Sequence, residues 1–377
     1  MPAYHQMGHH STNLIFQPEL AAFRGAILSP VNEDQGQVAE LVPRLRAERP
    51  GIDVIFDPQL YFPQSNRGQL RSWSHFPNDL DTADLSSKSW WSSTIGAIAS
   101  VVEGVTPDAV CSPAVVPRVF SSNDYYLRMV EVGDELLARR PGCRVLQTVL
   151  VGIDDMTSAT RAHEVASMVS KSECTGVFLV VCTDVDPRRE LNEVEGLKGV
   201  MRLINLLESG GQTVLVGFCS TEMALWKAAG ATSCATGKFF NIRRFTRSRF
   251  EEPSNGGGQL AYWFEEALFA YLRESDVARV RAAGAFSDST DRNPFTPTIL
   301  TFMQEPRAWV GQGWRQYMWW FADFEQRADR ATVRAALKAA EDLWRTLEEK
   351  DILMEERQND GNWLRQWRRA IAEFSGP

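Results

Sequence analysis

The sequence RVLQTVLVGIDDMTSATRAHEVASMVSKSECTGVFLVVCTD, residues 144–184, contains two apolar β-type runs separated by one helical pattern. The two runs, 144–152 and 175–184, are rich in Val and Leu without strict alternation. This composition is typical of parallel strands that are buried on both faces. Residues 157–171 place apolar side chains at helical spacing. The stretch therefore predicts a strand–helix–strand unit of a parallel sheet.

The same alternation continues in both directions along the chain. Eight strand-and-helix units in about 285 residues predict an α/β fold, a (β/α)8 TIM-type barrel. A doubly wound open sheet is the alternative, but "SPVNEDQGQ" after the second strand is not a GxGxxG phosphate loop. The strands are predicted at 4–8, 24–32, 52–62, 108–116, 144–152, 175–184, 213–220 and 232–240, and the helices at 37–48, 92–105, 123–140, 157–171, 193–211, 221–231 and 259–275.

The last part of the chain differs in composition from the rest. Seven of the twelve tryptophans fall between Trp309 and Trp367, within helical patterns. We therefore predict two domains, a barrel over residues 1–285 and a Trp-rich helical extension over 286–377. The extension is interpreted as an appendage packed on the barrel. The alternative is a contact surface, over 300–377, for a protein partner or for self-association.

Composition and charge exclude several classes of protein. The net charge of −8 argues against a general nucleic-acid coat protein, although a local basic patch can still bind phosphate. The six cysteines form no CxxC pair, which favours reduced thiols in a cytoplasmic protein. We find no secretory signal pattern and no apolar run approaching eighteen residues, so no membrane association is expected. The sequence also predicts no cofactor.

In a barrel of this type the chemistry lies at the carboxyl ends of the strands. Asp57 directly follows the apolar run "VIF" and begins a long irregular insertion, residues 57–90. A carboxyl group in such a place is partly desolvated and is a candidate catalytic acid or base. The alternative is a turn cap preceding Pro58. Asn32 and Gln59 follow neighbouring strands and are candidates for binding a substrate.

A basic stretch, "GATSCATGKFFNIRRFTRSRF", covers residues 230–250. Loops after the seventh and eighth strands of such barrels often bind phosphate through glycine amides and nearby cations. The alternative is that these arginines pair with acidic residues such as Glu251 and Glu252. The candidate phosphate-binding residues are Gly217, Gly237, Lys238, Arg243, Arg244 and Arg247, with Arg249 beside them.

Three of the five histidines, His5, His9 and His10, are clustered near the start of the chain. Together with Asp57 they could hold a metal, which would suggest a metal-dependent barrel hydrolase. Their spacing matches no strong metal signature, so the sequence predicts no metal site. Polar histidines at the barrel mouth are the simpler interpretation.

The order of these elements over residues 4–250 resembles the tRNA-guanine transglycosylase-like barrels. "HQMGHHSTNLIFQPELAAFRGAILSPVN" (5–32) is similar to the opening of that family, and "VLVGFCSTEMALWKAAGATSCATGKFFNIRR" (214–244) is similar to its last strand–helix–strand unit. "VIFDPQLYFPQ" (54–64) lies where the family delivers an active-site aspartate, so the resemblance places Asp57 in that role.

The chain departs from this family at its catalytic positions. The place of the nucleophilic aspartate falls near Ala235, that of the base-recognising aspartate falls near Ser112, and the CxCxxC…H zinc site is absent. The function hypothesis is a divergent transglycosylase-like barrel that binds or acts on nucleic acid or a nucleotide through a basic mouth. If it is an enzyme, glycosyl transfer or hydrolysis at a nucleoside is expected. The alternative is a catalytically degenerate barrel that serves as an interaction subunit of a nucleic-acid-associated assembly.

Overall fold

The computed structural model describes residues 3–77, 80–139, 141–252, 259–286, 288–356 and 359–374. Eight parallel strands form a closed barrel in chain order, in which the first strand pairs with both the second and the eighth. This confirms the predicted (β/α)8 barrel and excludes the open sheet. The strands are β1 (Ala3–Gln6), β2 (Phe23–Leu28), β3 (Asp53–Phe56), β4 (Ala109–Cys111), β5 (Arg144–Gly152), β6 (Gly176–Cys182), β7 (Thr213–Gly217) and β8 (Ser233–Thr236).

Helices follow six of these strands and cover the outside of the barrel, while the link from β1 to β2 carries the 3-10 turn Pro18–Leu20. Among the barrel strands, β5 and β6 form the longest paired ladder, from Leu146↔Gly176 to Gly152↔Cys182, with almost every side chain buried. The helices are α1 (Gln35–Glu48), α2 (Lys88–Val105), α3 (Asn123–Ala138), α4 (Ala159–Val169), α5 (Val194–Ser209) and α6 (Met223–Ala228).

The segment 259–275, predicted as a helix, is instead mostly a hairpin, so that prediction was wrong. Strands β9 (Trp263–Glu265) and β10 (Ala270–Leu272) pair antiparallel, with Phe269 at φ 51° in the connecting turn. The side chain of Gln316 donates to the backbone oxygen of Phe264 at 2.6 Å and accepts from its nitrogen at 2.9 Å. The side chain of Gln316, distant in sequence, thus satisfies the backbone hydrogen-bonding groups of Phe264. Local helical periodicity cannot reveal such a contact.

Six helices complete the chain and pack on the barrel. Helix α10 contacts β1 and β8, and α12 contacts α5. Lys227 of α6 and Glu325 of α10 form a fully buried ion pair at 3.1 Å. The division into two domains at residue 285 remains a proposal. The helices are α7 (Glu274–Ala282), α8 (Asp288–Arg292), α9 (Thr296–Gln304), α10 (Val310–Arg327), α11 (Arg330–Glu349) and α12 (Asn362–Glu373).

Most tryptophans of the extension are used for this packing. The indole nitrogen of Trp367 donates to the carbonyl oxygen of Leu191 at 2.5 Å, and the ring of Trp320 lies 4.0 Å from that of Phe264. The residues Trp309, Trp320, Trp344, Trp363 and Trp367 are all buried. Among the helices of the described ranges, none combines the length and the apolar character that a membrane span requires.

We predict that Gly199→Ala destabilises the protein by about 3 kcal/mol, because a Cβ there would overpack the interface between α5 and the turn before α4. That Cβ would lie 1.6 Å from the carbonyl oxygen of Met156. The matched control is Gly96→Ala in α2, whose Cβ would meet its nearest neighbour, Arg139, at 3.6 Å. The control is expected to be neutral or stabilising by up to about 1 kcal/mol. Urea unfolding of both variants tests this, and equal stabilities would contradict it.

Candidate functional site at the barrel mouth

A cavity of about 760 Å³ lies at the carboxyl ends of the strands, where barrels of this type place their active sites. The loops after β1, β2, β3, β6 and β8 form its walls together with the start of α10. We call this space the mouth cavity. Its lining residues are His9, Val31, Asn32, Arg67, Gly68, Gln69, Arg188, Phe239, Phe240, Asn241, Arg249, Gln259, Leu260, Tyr262 and Trp314.

The charged side chains that line the mouth cavity are all cationic within the described ranges. Arg67, Arg188 and Arg249 come from three different loops, and no carboxylate is among the lining residues. Arg188 is exposed and pairs with Asp186 at 2.9 Å. Within the described part of the chain, Arg67 forms no ion pair. The cavity therefore presents an electropositive surface, which favours an anionic ligand.

Arg249 is the buried member of this group, with only 4% of its surface exposed. One of its terminal nitrogens donates to the hydroxyl of Ser29 at 3.0 Å and to the amide oxygen of Asn32 at 3.4 Å. Its Nε atom is buried without a hydrogen-bond partner among the described residues. Burial lowers the pKa of Arg249 to about 10. The nearby carboxylates of Asp57 and Glu33 offset part of the cost of burying this charge, but neither bonds to Arg249 directly, so an anion in the cavity can still contact it.

Two loops are held together so that Arg67 and Arg249 face the same space. The hydroxyl of Ser65 donates to the carbonyl oxygen of Phe250 at 2.5 Å. Gly68 has φ 56°, and a Cβ there would lie 2.0 Å from the carbonyl oxygen of Val31. The insertion that carries Arg67 thus packs closely against the loop after β2, which only a glycine at position 68 permits.

Aromatic rings also line the mouth cavity. The rings of Phe239 and Trp314 are 5.0 Å apart, and those of Phe240 and Tyr262 are 5.3 Å apart. Lys238 Nζ lies 4.5 Å and 4.9 Å from the centroids of Phe239 and Trp314. A cavity lined by both cations and aromatic rings suits a ligand that combines an anionic group with a flat ring.

Asp57 is buried beneath the mouth and does not line the cavity. Its carboxylate accepts hydrogen bonds from the backbone nitrogen of Gln59 at 3.0 Å and from the hydroxyl of Tyr61 at 2.9 Å. Burial raises the pKa of Asp57 to about 6. The Gln59 side-chain oxygen accepts from the hydroxyl of Ser29, which links Asp57 indirectly to Arg249.

Aromatic side chains surround Tyr61 and cover Asp57. The ring of Tyr61 lies 5.0 Å from that of Phe245 and 5.7 Å from that of Phe250, and the rings of Phe218 and Phe245 are 5.2 Å apart. We call Tyr61, Phe62, Phe218, Phe245 and Phe250 the aromatic plug. Asp57 is 2% exposed and neither it nor the rings of the aromatic plug line the cavity, so a ligand held by the lining residues does not contact the carboxylate.

Arg243 and Arg244 of the basic stretch point into the protein. The Arg243 guanidinium stacks 3.6 Å from the centroid of Tyr317 and donates to the carbonyl oxygens of Gly237 and Lys238. Arg244 pairs with buried Glu222 at 3.2 Å. Both arginines therefore have partners within the chain and lie outside the lining of the mouth cavity.

The remaining candidates occupy different surroundings. Arg247 is exposed and pairs with Glu251 at 3.3 Å, as the alternative interpretation of this stretch expected. A Cβ at Gly217 would lie 2.5 Å from the ring of Phe178, and one at Gly237 would lie 2.2 Å from Ile242. These two glycines allow close packing of the loops after β7 and β8. Asn32 lines the cavity, whereas Gln59 lies behind it and accepts a hydrogen bond from Ser29; their roles in binding remain predictions.

The three N-terminal histidines do not converge with Asp57. His5 is fully buried beside Phe23, with ring centroids 5.8 Å apart, and both of its ring nitrogens lack partners among the described residues. The rings of His9 and His10 are 3.8 Å apart near the surface. Within residues 3–374, leaving aside the undescribed positions, no group of three His, Cys, Asp or Glu side chains could hold a metal ion.

Several residues of the cavity were not identified from the sequence. Arg67 lies in the insertion 57–90, which we interpreted as functional, but no local sequence motif distinguishes Arg67 within that segment. Arg188 lies four residues after Asp184 in the loop after β6, and Trp314 lies in the extension. Tyr262 lies in the segment predicted as a helix. Each reaches the cavity through tertiary packing rather than through a local motif.

We predict that Asp57→Asn stabilises the protein above pH 6 and has little effect below pH 4. The pKa of Asp57 is raised from 3.8 to about 6. Between these two pH values the folded state holds a proton that the unfolded state has released, so the protein loses stability as the pH rises through this range. Two pKa units correspond to about 3 kcal/mol. The asparagine oxygen can still accept from the backbone nitrogen of Gln59, and its amide nitrogen can donate to the hydroxyl oxygen of Tyr61.

Urea unfolding of both proteins at pH 4 and pH 7.5 measures this difference. Asp184→Asn, at an exposed position, is the control and is expected to change stability equally at both pH values. A variant at Asp57 that is less stable than the native chain at pH 7.5 would contradict the prediction.

Comparisons with known proteins find distant likenesses among solved structures. No protein-family model matches the sequence, and no curated protein matches it. Among solved structures, the chain is similar to a type I 3-dehydroquinate dehydratase from Clostridium difficile, with 10% identity and a TM-score of 0.35 over 66% of this chain and 88% of that one. It is also similar to a thermostable mutant xylanase from Cellvibrio japonicus, with 14% identity and a TM-score of 0.35 over 58% and 71% of the two chains.

Proposed function

We propose that this protein is a divergent transglycosylase-like barrel whose mouth cavity binds a nucleotide, with the phosphate on the arginines and the base against the aromatic wall. The observation that carries the proposal is Arg249, a buried guanidinium that lines the cavity without a directly bonded carboxylate. A phosphate oxygen would satisfy its unpartnered Nε and offset its charge.

The second part of the argument is the neighbourhood of Arg249. Arg67 is held on the same side by the Ser65–Phe250 hydrogen bond, so two guanidinium groups can share one phosphate. Trp314 and Tyr262 offer flat faces across the cavity, and base–aromatic stacking contributes about 1–3 kcal/mol per base. The side-chain amides of Asn32, Gln69 and Asn241 can recognise the polar edges of a base or sugar.

The proposal assigns binding to the mouth cavity and leaves Asp57 a supporting role. A glycosyl transfer needs a carboxylate next to the sugar carbon, whereas Asp57 is buried and does not line the cavity. Arg249 donates to the hydroxyl of Ser29, and Ser29 donates to the side-chain oxygen of Gln59, which makes Asp57 part of the floor that orients Arg249.

We predict that Arg67→Gln weakens binding of a nucleoside 5′-monophosphate about tenfold, because a charge-assisted contact to phosphate is lost. Isothermal titration calorimetry with the monophosphate, with the parent nucleoside and with inorganic phosphate measures the phosphate contribution. Arg247→Gln is the matched control, since Arg247 belongs to the basic stretch but lies outside the cavity lining. It is expected to bind like the native chain.

A single-stranded oligonucleotide in the same titration separates a free nucleotide from a nucleic-acid ligand. If the chain binds nucleic acid through this cavity, Arg67→Gln also reduces the salt slope by about 1. Equal binding by the native chain and Arg67→Gln, or an equal loss in Arg247→Gln, would overturn the placement of the phosphate.

A second candidate function is an interaction subunit without chemistry of its own. The observation that favours it is the aromatic plug, which closes the barrel over its one sequence-predicted catalytic carboxylate. Within residues 300–377, Leu353 is a large apolar side chain with 72% of its surface exposed. Multi-angle light scattering of the native chain and of Leu353→Asp tests self-association. A monomer at all concentrations in both proteins would count against self-association through this segment.

A further inference from the structure

We propose that the mouth cavity binds two consecutive nucleotides of a single nucleic-acid strand, one in each of two halves that both combine a cation with a pair of aromatic rings. This inference rests on the proposed function and deepens it, because it names the ligand class as a 5′-phosphorylated dinucleotide segment. The cavity volume of about 760 Å³ lies in the upper part of the range of about 300–1,000 Å³ that small-molecule sites cover.

A small side pocket next to the mouth cavity divides the lining residues into two groups. The residues that line both spaces form what we call the second half of the cavity, and they are Arg188, Phe240 and Tyr262. The arginines and the Phe and Trp rings that line the mouth cavity alone form the first half, and they are Arg67, Arg249, Phe239 and Trp314. Each half thus contains positive charge and two aromatic rings.

The two rings of each half form a corner. The planes of Phe239 and Trp314 meet at 72°, and those of Phe240 and Tyr262 meet at 82°. A flat base in such a corner can stack on one ring and touch the edge of the other. Among the described residues, no ring of one pair contacts a ring of the other pair. Since Phe239 and Phe240 are consecutive, the two corners are adjacent, as two successive bases require.

Cations outside the cavity lining fix the four rings in place. The two rings of the first half have centroids 4.5 Å and 4.9 Å from Nζ of Lys238. In the second half, the guanidinium carbon of Arg243 lies 4.9 Å from the ring of Phe240, and that of Arg273 lies 5.1 Å from the ring of Tyr262. These cation–π contacts exist before a ligand enters, so the rings lose little freedom when a base stacks on them.

Each half also offers its own contact for a phosphate. In the first half, Arg249 and Arg67 are brought to the same space by the hydrogen bond between Ser65 and Phe250. In the second half, Arg188 is exposed and pairs with Asp186 at 2.9 Å. An exposed ion pair of this kind is weak, so a phosphate in the cavity can share the guanidinium of Arg188.

The distribution of the arginines favours one kind of linkage between the two nucleotides. In a 5′-phosphorylated strand a sugar separates successive phosphates, so each base is accompanied by one phosphate. In a dinucleotide joined 5′ to 5′ by a pyrophosphate the two phosphates are adjacent and would meet at one place. The mouth cavity has arginines in both halves, which matches the strand.

The test compares three probes by isothermal titration calorimetry of the full chain at one fixed salt concentration. The probes are AMP, the 5′-phosphorylated dinucleotide pApA, and diadenosine 5′,5′-diphosphate, which carries the same bases and phosphates as pApA in the other linkage. We expect pApA to bind at least about tenfold more tightly than AMP, because a second base stacks and a second phosphate is contacted. The pyrophosphate-linked compound is expected to bind within about threefold of AMP, since its phosphates reach one half only.

Two arginine variants assign the two phosphates to the two halves. Arg188→Gln should lower the affinity for pApA about fivefold to tenfold and leave AMP binding unchanged, because AMP occupies the first half with its two guanidinium groups. Arg67→Gln should weaken binding of both probes. The matched control is Arg189→Gln, since Arg189 is the neighbour of Arg188 and lines the side pocket but not the mouth cavity. It should bind both probes like the native chain.

A pair of variants at one ring tests the second base. Tyr262→Leu removes the ring and should lower the affinity for pApA about fivefold without changing that for AMP. Tyr262→Phe keeps the ring and should bind both probes like the native chain. Thermal melting of each variant shows that the loss of affinity is not a loss of folding.

The outcomes distinguish this inference from the proposed function. If AMP binds and pApA binds no more tightly, the inference is overturned and the binding of a nucleotide stands. Equal losses in Arg188→Gln and Arg189→Gln would overturn the place of the second phosphate. Binding of the pyrophosphate-linked compound as tightly as pApA would overturn the strand as the ligand. If none of the three probes binds, both proposals are overturned.

Discussion

The pairing of β1 with β8 is the constraint on which the site depends. Two residue pairs, Tyr4 with Ala235 and His5 with Thr236, close the parallel sheet on itself. Closure brings the carboxyl ends of all the strands into one ring, so that loops far apart in sequence line one space. Arg67, Arg188 and Arg249 meet at this ring from the loops after β3, β6 and β8. An open parallel sheet with the same elements would spread these loops along one edge instead of gathering them around one space.

Closure also explains why the helical extension packs where it does. The seam between β8 and β1 would expose Phe23 and its neighbours to water, and α10 covers it with Phe321, whose ring stacks on Phe23. The same helix places Trp314 at the cavity wall and Arg315 near Lys238. One helix thus completes the apolar packing of the barrel and supplies part of the candidate site. The extension and the site are therefore coupled through α10.

The electrostatics of the mouth follow from where each cation is buried. Arg243 stacks on Tyr317 and Arg244 pairs with Glu222. These contacts offset the cost of burying the two charges. Arg249 and Lys238 are buried beside the cavity with neutral hydrogen-bond acceptors only. Asp57 and Glu33 act on Arg249 through their charges without bonding to it. The basic stretch therefore contains two arginines with direct partners inside the protein and two cations whose bonded acceptors are neutral.

Local patterns were sufficient for the barrel but insufficient for the hairpin and for the site. The apolar runs at 144–152 and 175–184 predict β5 and β6 because strands buried on both faces leave a strong local signal. Residues 259–275 were assigned to a helix because the partner that stabilises β9, the side chain of Gln316, lies far along the chain. Asp57 was located correctly at the end of β3, yet nothing local showed that Phe245 and Phe250 would pack on Tyr61 above it.

The amino-acid sequence by itself determined the fold class, the ends of strands where polar residues gather, and the concentration of positive charge in residues 230–250. These depend on hydrophobic periodicity and composition, which are local properties. Only the tertiary structure decided which cations face the cavity. Burial and pairing depend on neighbours that the chain brings together from distant positions. Arg243 stacks on Tyr317 inside the protein, whereas Arg249, six residues later, lines the mouth cavity.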